Sequence, residues 1–361
     1  MFEAFIGSNL LLVILGRSNL FKWAIILNIC FILLQYTIHM LSLQPLIMDL
    51  NTLLLLFCGL IVLIVGANML LKSAVSISLK FEIPKVLIGM TVVSLATSAP
   101  ELIVSVKSAL MGSADLAISN VVGSNIANIG LVLGLTVFFS PINIKKNIYK
   151  KHWPIMMFSA LYFLVIILDG KINVYEGAIL IIFLVTSIAF LIKTQEKSKE
   201  EELKSSSIHS LSKSIILFIV GGICLYFGSE WFIAGAIYMA IHFDISERII
   251  GISVLSVGTS LPELVTSLVA VIKKEKGISL GNLLGSNIFN VFAVLGITSL
   301  VTPLIVTDLN IINFDIYVML FFAAIILPLI FFPNKFILGR VAGLIILSFY
   351  SIYIYNLFKK K

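Results

Sequence analysis

The chain has 361 residues, of which 60% are hydrophobic and 12% charged, and its mean hydropathy is +1.12. These values exclude a soluble globular domain and indicate a polytopic α-helical membrane protein, because stretches of about 20 apolar residues recur and each can cross a hydrocarbon core of roughly 30 Å. A β-barrel would show shorter stretches of alternating polarity, and the formal charge of +7 sits in short loops, where it directs topology rather than nucleic-acid binding.

From the N-terminus, Met1 to Leu15 has no basic stretch ahead of a short apolar run, so no cleavable signal peptide is expected. Residues 20–42 are apolar enough for an extra N-terminal helix, although Gln35 and His39 interrupt them. Ten core spans are predicted at about 52–70, 84–110, 115–139, 153–168, 174–193, 214–241, 246–272, 278–301, 312–332 and 339–357. The longest polar segment, Lys193 to Lys213, mixes Lys197, Lys199 and Lys204 with Glu196 and Glu200 to Glu202. Placed in the cytoplasm, it brings the loops of Lys72/Lys80/Lys85, Lys145/Lys146/Lys150/Lys151, Lys273/Lys274/Lys276 and Lys335/Arg340 to the same side, and leaves Lys171 and Arg248 opposite. The chain divides into an N-terminal extension (1–48), a first half (49–193), a charged linker (194–213) and a second half (214–361). Cys30, Cys58 and Cys224 are isolated in apolar sequence without metal-ligand spacing, and are expected to be buried and inert.

The segment Ser94-Leu95-Ala96-Thr97-Ser98-Ala99-Pro100-Glu101 returns 162 residues later as Ser256-Val257-Gly258-Thr259-Ser260-Leu261-Pro262-Glu263. A second block follows each at one fixed distance, Gly123-Ser124-Asn125-Ile126-Ala127-Asn128 and Gly285-Ser286-Asn287-Ile288-Phe289-Asn290. From Ile88 to Thr136 the offset holds without a gap and 20 of 49 positions are identical, so the halves are copies. Five core spans precede the linker and five follow it, and an odd number per half gives the copies opposite orientation. The predicted fold is therefore an all-α polytopic membrane protein with ten core transmembrane helices as a 5+5 inverted-topology repeat, plus the extra N-terminal helix.

Each repeated block carries chemistry. A proline inside a helix frees the carbonyl four residues earlier, here those of Ala96 and Gly258. In lipid that carbonyl needs a partner in protein, water or a cation. Thr97 and Glu101, like Thr259 and Glu263, are four apart and share a helix face. The resulting set is all oxygen, which suits a hard cation such as Ca²⁺ or Na⁺. Ser124 with Asn128, and Ser286 with Asn290, again share one face, while Asn125 and Asn287 fall on another and are expected to bond neighbouring helices. An acid at the bilayer centre costs ~2.5–3.5 kcal/mol on insertion scales, so the retention of both Glu101 and Glu263 marks a functional site. Lys107 is expected to snorkel outward, and Asn68 and Glu230 to serve packing or interfacial anchoring. His39, His152, His209 and His242 lie outside both blocks, so no histidine relay is expected. The opening Gly7-Ser8-Asn9 echoes the second block without a preceding Pro-Glu helix and is taken as coincidence. No nucleophile–base pair or hydrolase motif points to an enzyme, and no cofactor is expected.

These residues resemble the cation/Ca²⁺ exchanger superfamily, in particular its prokaryotic sodium/calcium exchanger branch, whose repeats read Gly-Thr-Ser-x-Pro-Glu and Gly-Ser-Asn-x-x-Asn/Asp. The similarity covers the chain from about residue 50 onward. It implies a multi-pass cell-membrane antiporter, embedded in lipid, with Ca²⁺ and Na⁺ as its transported partners. By this resemblance Thr97, Glu101, Thr259 and Glu263 bind Ca²⁺ together with the carbonyls of Ser94 and Ser256. Ser98, Ser124, Ser260 and Ser286 complete sodium sites that share both glutamates, with Asn128 and Asn290 at the centre. Three departures stand out: Ala96 replaces a glycine, Asn290 stands where some relatives have aspartate, which argues against potassium co-transport, and Asn68 stands where relatives often have an acid. The Gly-Asn-x-x-Glu pattern of proton-coupled relatives is replaced by Asn120-Val121-Val122-Gly123 and Asn282-Leu283-Leu284-Gly285. A proton- or other divalent-cation-coupled antiporter on the same fold is the alternative, and a passive channel is disfavoured by the inverted repeat.

Overall fold

The computed structural model describes residues 45–194, 210–242 and 256–359. The predicted helix at 20–42, Cys30 and most of the charged linker lie outside them. Helix α1 (Pro45–Lys80) runs beyond the predicted span at 52–70. Its polar second half is held against α7 (Leu211–His242), where Ser73 donates to the Ser214 carbonyl (2.7 Å) and Ser214 to Ser76 (3.0 Å). The predicted span at 84–110 is two helices, α2 (Lys85–Thr97) and α3 (Ala99–Leu110), bent by 43°. The break falls on Ser98 (φ −85°, ψ 7°), so Pro100 sits in a first turn, where its missing N–H costs nothing. The second copy breaks in the same way at Ser260 (φ −84°, ψ 5°), between α8 (Ser256–Thr259) and α9 (Leu261–Ile272).

The remaining elements are α4 (Ala114–Phe139), β1 (Ile142–Asn143), α5 (Trp153–Ile167), β2 (Lys171–Ile172), α6 (Val174–Lys193), α10 (Lys276–Val301), β3 (Leu304–Ile305), α11 (Ile316–Phe331), β4 (Ile337–Leu338) and α12 (Arg340–Lys359). Among the described residues seven helices are long and apolar enough to cross a membrane, or eight if the bent α2–α3 pair is one span. The protein is a multi-pass helical membrane protein.

Two features have no counterpart in the sequence reading. Helices α4 and α10 each widen into a π-turn at matching positions, Asn128–Leu133 and Asn290–Leu295. Further π-turns lie at Gly89–Val93 within α2 and at Ile148–His152 and Ile311–Asp315 ahead of α5 and α11, so the feature is not confined to these two positions. Four two-residue strands also form, β1 with β4 and β2 with β3, both antiparallel. Helix α5 separates β1 from β2 by about 22 Å of helical rise, so the two ladders mark opposite ends of the bundle. Lys145 and Lys146 follow β1, Lys335 and Arg340 flank β4, and Lys276 Nζ donates to the Pro141 carbonyl at the same end (2.6 Å). Lys171 lies in β2 at the other end.

The core is in two parts. The larger joins α4, α5, α10, α11 and α12, and the smaller lies between α1, α2, α7 and α9. Helices α1 and α7 touch backbone to backbone: a Cβ on Gly66 would lie 2.8 Å from the Gly221 carbonyl oxygen, and one on Gly59 2.7 Å from the Phe232 nitrogen. Small residues make such contact possible in a membrane, where close packing replaces the hydrophobic drive. Cys224 is buried in this seam, but Cys58 is only half-buried, which corrects the expectation that it is sequestered.

Candidate functional site

The two breaks place Glu101 and Glu263 in the first turns of α3 and α9, where the positive end of a helix favours an anion. Both side chains are 0% exposed. Helix α3 runs toward the β2/β3 end, where Asp115 at the start of α4 accepts from the backbone N–H groups of Thr307 (2.8 Å) and Asp308 (3.1 Å). Helix α9 runs toward the β1/β4 end, where Lys276 follows it. The two glutamate-bearing helices therefore point in opposite directions and meet at their N-termini.

Side chains from the two halves interleave around the glutamates. Ser98 and Ser286 both donate to Glu263 Oε1, at 3.0 and 3.1 Å. The Thr97 hydroxyl donates to Asn282 Oδ1 (3.1 Å), and the Thr259 hydroxyl to Asn120 Oδ1 (3.2 Å). Thr259 also pairs with Ser124 (3.2 Å), as Thr97 does with Ser286 (3.4 Å). Asn290 Nδ2 donates to Asn125 Oδ1 (3.1 Å). Asn125 Nδ2 donates to the Asn287 carbonyl on the facing helix (3.3 Å), as the face assignment anticipated, whereas Asn287 bonds the Leu283 carbonyl of its own helix (2.8 Å).

Among the described residues, several buried polar atoms in this cluster have no hydrogen-bond partner: the acceptor oxygens of Glu101, Oε2 of Glu263, Oγ of Ser260, Oδ1 of Asn290, and both the amide oxygen and the amide nitrogen of Asn128. Unpartnered buried polar atoms are costly and call for an explanation. An oxygen set of two carboxylates, hydroxyls and amides can coordinate a hard cation. Among the described residues no group of three or more His, Cys, Asp or Glu comes together, so the carboxylates are complemented by neutral oxygens alone.

Of the partners open to a carbonyl freed by proline, protein is the one found in the second half. The Gly258 oxygen freed by Pro262 accepts from Ser229 on α7 (2.9 Å), so it is turned to protein. The Ser94 carbonyl keeps its helical bond from Ser98 N (2.9 Å) and receives the Thr97 hydroxyl only at 3.4 Å. The difference between Ala96 and Gly258 also has a packing cause. A Cβ at Gly258 would lie 2.5 Å from Ile233, whereas the residue facing Ala96 is Gly222, whose own Cβ would stand 3.9 Å from that of Ala96.

Lys107 is exposed, as expected for a snorkelling side chain, and Glu230 is exposed as well. Asn68 donates to the Ile64 carbonyl of its own helix (2.7 Å) and does not enter the cluster. His152 is far from the cluster in sequence and element, in the turn before α5. Burial and then Lys151 push it down to about 4. His39, His209 and Gly7 to Asn9 lie outside the described residues. Sequence reasoning passed over Asn120 and Asn282 as partners of the threonines, and over Ser229 at the Gly258 carbonyl. The first two carried a signal: both are asparagine at the 162-residue offset, as are the serines beneath them, Ser105 and Ser267.

A helical bundle with two broken helices and a buried oxygen-only cluster between them belongs to the class of membrane ion transporters. A family model for the sodium/calcium exchanger protein matches residues 51–193 and 213–359. The chain belongs to the sodium/calcium exchanger family. It is similar to the putative antiporter CaxA of Alkalimonas amylolytica, 33% identical over 311 residues that cover 83% of this chain and 96% of that protein. The sodium/calcium exchanger MaX1 of Methanosarcina acetivorans is 29% identical over 84% of this chain and 98% of its own length. Among solved structures, the sodium-calcium exchanger NCX_Mj soaked with 2.5 mM Na⁺ and 0.1 mM Ca²⁺ has a TM-score of 0.73 at 32% identity, covering 85% of this chain and 98% of that one.

Proposed function

We propose that the protein is a secondary antiporter that exchanges Ca²⁺ for Na⁺ across the cell membrane by alternating access. One observation carries the reading: two fully buried carboxylates, one from each half, lie in one cluster of oxygens, and both Glu101 oxygens and one of Glu263 have no hydrogen-bond partner there. Glu101 and Glu263 hold the cation, Thr97 and Thr259 add hydroxyl oxygens, and the carbonyls of Ser94 and Ser256 complete the Ca²⁺ site. Ser98, Ser124, Asn128, Ser260, Ser286 and Asn290 serve Na⁺ around the same two carboxylates. The halves 49–193 and 214–361, joined by the linker 194–213, form a 5+5 inverted repeat. The opposed directions of α3 and α9 and the mirrored Thr97–Asn282 and Thr259–Asn120 bonds support that arrangement.

The coupling follows from charge. Two ionised carboxylates in a low-dielectric interior repel one another, and either one Ca²⁺ or several Na⁺ relieves that repulsion. Ion-loaded forms cross between the two access states and the unloaded form does not, which makes exchange obligatory. The test is Na⁺-gradient-driven uptake of radiolabelled Ca²⁺ into vesicles containing the purified protein. Glu101→Gln and Glu263→Gln each abolish uptake. Uptake at the unmodified rate in either variant rules out the site, and uptake driven by a proton gradient without Na⁺ rules out sodium coupling.

A further inference from the structure

We propose that Ser229 is a positioning residue that favours one of the two access states: its bond to the Gly258 carbonyl seats α7 on the broken turn of the second half, and the first half has no residue that can make the equivalent bond. The proposal deepens the alternating-access reading given above and rests on it.

The two halves are equivalent where α1 crosses α7. Gly59 and Gly66 on α1 correspond to Gly221 and Gly228 on α7 at the 162-residue offset. Their contacts correspond as well. A Cβ on Gly59 would lie 2.9 Å from the Gly228 carbonyl oxygen and 2.7 Å from the Phe232 nitrogen, and one on Gly221 would lie 3.0 Å from the Gly66 carbonyl oxygen and 2.9 Å from the nitrogen of Leu70, the counterpart of Phe232. Next to this symmetric crossing the halves diverge: Ser229 follows Gly228, whereas Ala67 follows Gly66, and both are buried. Pro262 removes the donor that the Gly258 carbonyl would have in a continuous helix, and the Ser229 hydroxyl replaces it at 2.9 Å. Ile233, one turn further along α7, closes on the same turn: a Cβ on Gly258 would lie 2.5 Å from its Cγ1, so glycine is what lets α7 sit this close. The first half lacks both features. Ala67 has no hydroxyl for the carbonyl that Pro100 frees at Ala96, and Ala96 carries the Cβ that Gly258 lacks. In an inverted repeat the opposite access state is reached when each half takes up the arrangement of the other. In that state α1 meets the first break as α7 here meets the second, without the hydrogen bond and with a looser fit. Both differences favour the state in which α7 is seated on Gly258.

The experiment measures half-saturating Ca²⁺ at each face of the membrane, from uptake and from efflux, with the full-length protein in vesicles of a single insertion orientation. Apparent affinity at a face scales with the fraction of protein open to it, so the ratio of the two values reports the balance of states. Ser229→Ala shifts that ratio about two- to tenfold, the range for one net hydrogen bond. Ala67→Ser shifts it in the same direction, because it supplies the missing hydroxyl to the other state. Together the two substitutions multiply, since each acts on a different state. A merely structural role for Ser229 would lower the melting temperature and leave the ratio unmoved, and that result overturns the proposal, as do shifts of opposite direction in the two variants. If Ser229→Ala does not fold, Ala67→Ser alone decides: an unchanged ratio in that variant refutes the proposal. Loss of exchange from the unmodified protein when Na⁺ is withheld and only protons remain supports the sodium reading, whereas no Na⁺-driven Ca²⁺ exchange by the unmodified protein overturns the antiporter reading itself, a separable result.

Discussion

Gly285→Ala tests how tightly the two halves must approach for the cluster to form. Gly285 lies on α10, next to Ser286, where that helix packs closely on α2. A Cβ there would lie 2.5 Å from the Met90 carbonyl oxygen, 2.6 Å from Met90 Cα and 2.7 Å from Ser94 Oγ. The first two are backbone atoms of α2 and cannot rotate away. Relaxing to an ordinary contact of about 3.5 Å pushes α2 and α10 apart by about 1 Å. Overpacking of this kind costs about 1–3 kcal/mol, which the fold can survive. The site is less forgiving, because α2 carries Ser94 and Thr97 and α10 carries Ser286. A ~1 Å misplacement of acting groups costs on the order of a hundredfold in rate. The expected result is a protein that purifies and melts a few degrees lower, with Na⁺-driven Ca²⁺ uptake reduced about a hundredfold. Gly277→Ala on the same helix is the control, since its Cβ meets only Val86 and Lys85 at 3.4–3.7 Å. That variant keeps its uptake and gains up to about 1 kcal/mol from helix propensity. Uptake by Gly285→Ala within twofold of the unmodified protein would refute the reasoning.

The two serines at the helix breaks should behave differently despite equivalent positions. Ser98 donates to Glu263 while Ser260 makes no hydrogen bond, so in cation-free buffer Ser98→Ala loses about 1.5–3 kcal/mol and Ser260→Ala loses none. Equal shifts in the melting temperature would show that this asymmetry is not energetic. His152 offers a pH test remote from the ions. Its pKa falls from 6.5 to about 4, through burial first and Lys151 second, so between these values the unfolded chain binds a proton that the native protein does not. Stability is therefore complete above pH 6.5 and declines on acidification toward pH 4, by about 3 kcal/mol. His152→Gln flattens that part of the profile, and an unchanged slope would contradict the assignment.

Glu101, Glu263 and their threonines were legible because an intramembrane acid is expensive and its duplication cannot be hidden. Pro100 and Pro262 signalled freed carbonyls within single spans, but not the full breaks at Ser98 and Ser260, since a proline constrains the turn before it without choosing one residue. The π-turns at Asn128 and Asn290 left no signature, because a widened turn differs from an α-turn by one bonding partner and not by composition.

What the sequence by itself determined is the inventory: a duplicated, membrane-embedded set of oxygen ligands, with spacings that decide which residues share a helix face. Only the tertiary structure decided the pairing. Ser98 reaches Glu263 and not Glu101, Thr97 reaches Asn282, and the Gly258 carbonyl is taken by Ser229. The reason is physical. Face-sharing follows from helical periodicity, which is local and written in residue spacing. Contact between helices depends on how closely backbones approach, and here that is set by the glycines at the α1–α7 and α2–α10 crossings together with the two mid-helix breaks.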